Sequence, residues 1–144
     1  MNRRVVSGVL TGVAALGLVG LQTVPAAAAT TVSARTTDGA PIGGTGIFWG
    51  NTTLANNPAM RTRESLGACD KQGNDRKIVY AEAQWKVRGQ WQYFSVHDTD
   101  GSGNGCHEAW LPNIAEGTKV YIKACLKTTV NHRQEYCGKA TGIA

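Results

Sequence analysis

Between His97 and Trp110 the chain reads HDTDGSGNGCHEAW, which sets two histidines, two aspartates and a glutamate among glycines. Residues of these types serve calcium ligation, hydrolysis and zinc binding, so each chemistry is weighed against its spacing. Asp98, Asp100, Ser102, Gly103 and Asn104 resemble the opening of the calcium loop D-x-[DN]-x-[DN]-G-x5-E. That pattern requires an acid at position 109, where Ala109 stands, and Glu108 comes one place early. Calcium takes six to eight oxygens, and the Asp98–Gly105 loop supplies about four or five, enough at most for a weak site. Asp and Asn bond back to their own backbone in turns, and Gly supplies the positive φ that turns demand. The stretch is therefore expected to be a hairpin turn anchored by Cys106.

Hydrolytic groupings are no better supported. Ser95, His97 and Asp98 are near neighbours, but successive residues of a strand face opposite ways and do not assemble a triad. No G-x-S-x-G elbow occurs. The spacing of His97, His107 and His132 does not require zinc. A small secreted ribonuclease or toxin would need a Glu, an Arg and a His on one face, for which Glu82, Arg88 and His97 are the nearest set. The second acidic stretch, CDKQGNDRK (69–77), reads as a disulfide-fixed turn. No cofactor or metal is expected.

Aromatic residues carry more. Trp49, Trp85, Trp91 and Trp110 are joined by Tyr80, Tyr93, Tyr121 and Tyr136. Trp85 has the phase of a core residue, whereas Trp91 begins a strand and Trp110 follows the glycine loop. Exposed Trp and Tyr beside Arg are typical of binding surfaces. Arg88, Trp91, Tyr93 and Trp110 are thus the candidate surface for an extracellular protein or polysaccharide.

The elements that must position these residues read as strands. KIVYAEAQWKV (77–87) places Val79, Ala81, Ala83, Trp85 and Val87 on one face, the period of a half-buried strand. Arg88-Gly89-Gln90 follows as a short glycine turn, and WQYFSVHD (91–98) returns, rich in aromatic and β-branched residues. KVYIKACLKT (119–128) alternates Val120, Ile122, Ala124 and Leu126 with Lys119, Tyr121, Lys123 and Lys127. A last strand is expected near Tyr136–Thr141. The segment 30–63 is expected to be irregular, with short strands at TVSAR (31–35) and Gly46–Trp49, and NPAMRTRESLGA (57–68) to hold a helical turn. Short strands without a long helical period indicate an all-β protein, a small antiparallel β-sandwich or barrel, with the main disulfide-bonded domain over 64–144.

The N-terminus addresses the chain. Asn2, Arg3 and Arg4 precede an apolar run from Val5 to about Leu21, then Pro25 and the small residues Ala26–Ala29, the layout of a secretory signal peptide over 1–29. Its removal lowers Lys plus Arg from 15 to 13 against 10 acids, so the net charge falls from +5 to +3. The remaining basic residues are dispersed, which argues against nucleic acid, and no later run is long enough to span a membrane. Cys69, Cys106, Cys125 and Cys137 are spaced by 37, 19 and 12 residues, too widely for metal pairs; an even count in an exported chain indicates disulfides. Three pairings are possible. Cys125 and Cys137 on successive strands are the preferred pair, which leaves Cys69 with Cys106.

The order of ESLGACDKQGND, Gln84-Trp85, VHDTDGSGNGC, EGTKVYIKACLK and EYCGKA resembles that of a group of small secreted two-disulfide β proteins of actinobacteria. The likeness covers about Glu64–Ala144; it implies the β fold and the same pairing, and carries over no catalytic residue. The function expected is that of a secreted, non-enzymatic binding or interaction protein. The alternatives are a secreted inhibitor of an extracellular hydrolase, which would present the loops at Lys86–Trp91 and Asp98–Gly105, and a small ribonuclease.

Overall fold

The computed structural model describes residues 29–51, 55–60, 63–73 and 75–144. The expected signal peptide, except for Ala29, and Asn74 of the second acidic turn lie outside the described residues. Eight strands follow in order: β1 (Thr31–Arg35), β2 (Gly44–Trp49), β3 (Ser65–Asp70), β4 (Ile78–Val87), β5 (Gln90–Asp98), β6 (Cys106–Trp110), β7 (Lys119–Lys127) and β8 (Glu135–Ile143). They form two four-stranded antiparallel sheets, ordered β1-β2-β3-β6 and β5-β4-β7-β8. The sheets pack face to face as a sandwich, with β1 against β8, β2 against β7, β3 against β4 and β6 against β5.

Alternation builds the interior. Val79, Ala81, Ala83 and Trp85 on β4 and Val120, Ile122, Ala124 and Leu126 on β7 are buried, and they meet Ala34, Phe48, Leu66 and Ala68 of the first sheet. Val87 keeps this phase but emerges half exposed where β4 leaves the sandwich. Small residues let the sheets come close: a Cβ on Gly46 would lie 3.0 Å from that of Ala81 and 3.3 Å from that of Ala124. Along one edge β1 lies against β8. The Thr30 and Thr37 N–H groups each donate to carbonyls of β8, those of Ile143 and Tyr136, at 2.9 Å.

The disulfides are Cys69–Cys106 and Cys125–Cys137, and no cysteine is free. The first joins residues directly opposite on β3 and β6. The second joins β7 and β8 where a register shift sets Tyr136 and Cys137 of β8 against Cys125. Such an extra residue is a β-bulge, and Tyr136 there has a left-handed backbone at φ 51°.

Three local expectations are corrected. The segment 57–68 holds a short 3-10 turn at Pro58–Met60, but its end and the start of the acidic stretch, Ser65–Asp70, form a fully buried strand. The glycine loop after Asp98 is not a hairpin turn; it carries the chain from β5 in one sheet to β6 in the other. The β4–β5 turn has two residues, Arg88 and Gly89, at φ 50° and 83°. Positive φ at both positions is the turn that matches the twist of a hairpin.

Candidate functional site

The first sheet is partly covered on its outer side. Trp49 is buried there and lies over Gly67, and Asn57 donates its N–H to Glu108. Among the described residues nothing covers the outer face of the second sheet in the same way, and Trp91, Tyr93 and Tyr121 are exposed on it. Strand pairing sets two rows of side chains across its four strands: Tyr93, Gln84, Tyr121 and Thr141, then Ser95, Glu82, Lys123 and Lys139.

Glu82 organises this face. Its carboxylate accepts from the Tyr80 hydroxyl and the Gln84 amide and pairs with Lys123 at 3.0 Å. Burial pushes its pKa up, but the three donors more than reverse that and hold it below the usual glutamate value. Burial, with the Glu82 charge beside it, raises the Tyr80 phenol, so Tyr80 remains a proton donor. A carboxylate engaged by three partners is a fixed anion that aligns neighbouring side chains, and its oxygens are not free to take a substrate proton.

Beside it stand the aromatics. Trp91 meets Tyr121 edge to face, with ring centroids 5.6 Å apart, and Lys86 Nζ lies 4.8 Å from the Trp91 centroid. Trp91, Tyr93 and Tyr121 are all exposed. A groove of about 390 Å³ opens along the Trp91 and Tyr121 rings, with Gln84, Lys123, Lys139 and Thr141 among its lining. That volume is within the range of small-ligand sites, about 300–1,000 Å³. Gln84 gives one amide proton to Glu82, which fixes the amide, and its carbonyl oxygen can accept from a ligand.

The structure divides the residues named from sequence. Trp91 and Tyr93 belong to this face. Arg88 sits at the hairpin tip, beside a second cavity with Trp85, Asn113 and Ile114. Trp110 is exposed on the outer side of the first sheet, under the Arg63 guanidinium at 5.2 Å. Tyr121, Gln84, Lys123 and Lys139 complete the site and were not singled out. Glu82, Arg88 and His97 do not converge, since Arg88 stands six residues along β4 from Glu82, about 20 Å at strand rise. His97 packs on the Tyr80 ring at 5.1 Å, and its Nε2 is buried without a hydrogen-bond partner. Burial, with Lys127 and His107 nearby, lowers its pKa. Among the described residues no group of three His, Cys, Asp or Glu side chains is placed to hold a metal.

Asp98 and Asp70 serve the fold. Asp98 is 0% exposed and accepts the Asp70 N–H at 2.8 Å, which ties β5 of one sheet to β3 of the other. Burial raises its pKa, the Asp70 N–H opposes this, and Asp100 adds to the rise. An acid with a raised folded pKa binds its proton more tightly when folded, so its contribution to stability grows as pH falls through that pKa. Asp98→Asn keeps an acceptor for the Asp70 N–H, removes the charge and gives up only the longer Asp100 N–H contact at 3.4 Å, so it should cost less than about 1 kcal/mol at pH 7. Asp98→Ala orphans that N–H and should cost about 1–3 kcal/mol. Urea unfolding of both variants at pH 7 and pH 5 checks this, and equal losses would show that the hydrogen bond does not matter.

Neither a family model, nor a curated protein, nor a solved structure matches the chain.

Proposed function

We propose that this is an exported, non-enzymatic binding protein that holds an extracellular ligand on the outer face of its second sheet. The observation that carries the reading is the exposure of Trp91, Tyr93 and Tyr121 together on one rigid sheet, beside polar side chains already fixed by Glu82. A surface aligned before contact loses little freedom on binding, and rigid aromatic anchors dominate such contacts. Export is supported by the basic, apolar, small-residue order of the N-terminus, and two disulfides are consistent with an oxidising environment.

The test compares the mature protein with a Trp91→Ala/Tyr121→Ala variant. Both are immobilised, exposed to culture medium and to extracellular polysaccharides, and washed. The variant should lose at least about thirtyfold in affinity for whatever the wild type retains, equivalent to about 2 kcal/mol. Identical retention by the two would end the reading. Cleavage of RNA by the purified protein, or nanomolar inhibition of an amylase or serine protease, would replace it with one of the alternatives.

A further inference from the structure

Resting on that reading, we infer that the ligand is an acidic polysaccharide, with a sugar carboxylate at Lys139 and its ring in the groove beside Tyr121. The charges on the face point this way. Lys123 is paired with Glu82, Lys77 with Glu135, and Lys127 donates to the Val130 carbonyl over the Tyr80 ring. The carboxylates of this face are therefore already engaged. Lys86, Lys119 and Lys139 have no acidic partner among the described residues; Lys139 lines the aromatic groove, and Lys86 lies on the Trp91 ring at its end.

Register sharpens the point. Lys139 lies directly opposite Lys123 on the neighbouring strand. Like charges so placed are unfavourable, and Glu82 offsets only one of them. A ligand carboxylate between the two ammonium groups would relieve this repulsion, whereas a neutral ligand would leave it in place and a cation would add to it.

The remaining lining suits a sugar ring. The Gln84 carbonyl accepts, and the hydroxyls of Tyr121 and Thr141 both donate and accept, which matches hydroxyl groups of either sense. Single-stranded nucleic acid fits less well. Proteins that bind it offer open aromatic faces for successive bases, whereas here Trp91 is capped by Lys86 and meets Tyr121 edge to face.

Titration calorimetry with defined probes tests the inference: polygalacturonate and alginate as uronate polymers, fully methyl-esterified polygalacturonate, dextran, and a thymidine oligonucleotide. At low salt at least one uronate polymer should bind, and esterification should weaken the polygalacturonate complex about tenfold if that is the polymer bound. Lys139→Gln should weaken uronate binding about three- to tenfold, an exposed to half-buried ion pair's worth, and should weaken it more than the binding of any neutral probe. Far-UV dichroism confirms that the variants fold. Equal binding of acid and ester, indifference to Lys139→Gln, preference for the oligonucleotide, or no binding to either uronate polymer would each overturn the acidic-sugar assignment. The binding-protein reading fails separately, on the retention assay with the Trp91→Ala/Tyr121→Ala variant.

Discussion

Replacing Cys69 and Cys106 together by alanine is expected to lower the unfolding free energy by about 4 kcal/mol, and replacing Cys125 and Cys137 by about 3 kcal/mol. The ranking follows from the chain each bridge closes, 37 residues against 12. A cross-link mainly restricts the unfolded chain, and the restriction grows slowly with loop length. Local structure adds to the larger value. β6 has five residues and, among the described residues, pairs with β3 alone, so the Cys69–Cys106 bridge is its covalent hold on the sheet. Removing both bridges subtracts about 7 kcal/mol, comparable to the whole stability of an ordinary domain, about 5–15 kcal/mol. Urea unfolding of the two double variants without reductant measures the ranking. A thiol reductant added to the wild type should reproduce the combined loss. If the Cys125–Cys137 variant proves the less stable, chain restriction is not the main source of the effect.

The Cys125–Cys137 pair was legible because strands that follow one another through a short polar connection tend to be neighbours; Cys69 and Cys106, on β3 and β6, followed only as the remaining pair. The strands with a clean period of two were legible for a related reason. In β4, β5 and β7 one face meets the interior and the other meets solvent, so the sequence carries both environments in turn. β3 had no such signal. All six residues of SLGACD are buried, with the second sheet on one side and Trp49 over Gly67 on the other. A strand covered on both faces does not alternate. The glycine loop failed differently. Its turn chemistry is local, but whether the next strand joins the same sheet is decided by where β3 stands, 28 residues earlier along the chain at the Asp70–Asp98 contact.

The site was half legible for the same reason. Trp91 and Tyr93 stood out by residue type. Tyr121 and Lys123 already had the polar phase of their strand, but their place beside Gln84 and Glu82 depends on β4 pairing with β7, which is not its neighbour in sequence. Trp110 shows the converse. It is exposed, as expected, yet it faces away from the other aromatics because β6 closes the first sheet and not the second.

Gly138→Ala should be as damaging as the loss of a disulfide. In a strand, alanine ordinarily improves on glycine by about 0.5–1 kcal/mol, because less chain freedom is lost on folding. At Gly138 the sign reverses. The backbone there is ordinary for a strand, but an added Cβ would lie 1.6 Å from the Arg35 carbonyl oxygen and 2.8 Å from its carbon. Both obstacles are backbone, so no side-chain rotation relieves them, and β1 must move away from β8. The cost should be about 3 kcal/mol or more, at the upper end of overpacking. Two further substitutions calibrate it. Gly142→Ala would place its Cβ 2.6 Å from Val32 Cγ1, a side-chain atom that can shift, and should cost about 1 kcal/mol. Gly103→Ala meets nothing within 4 Å and should be neutral. Amide exchange locates the damage: the N–H groups of Thr30, Thr37 and Ile143, bonded between β1 and β8, should exchange faster in Gly138→Ala, while those between β4 and β7 keep their protection. If Gly138→Ala unfolds at the same urea concentration as Gly103→Ala, β1 does not lie against β8 and the sandwich is open along that edge.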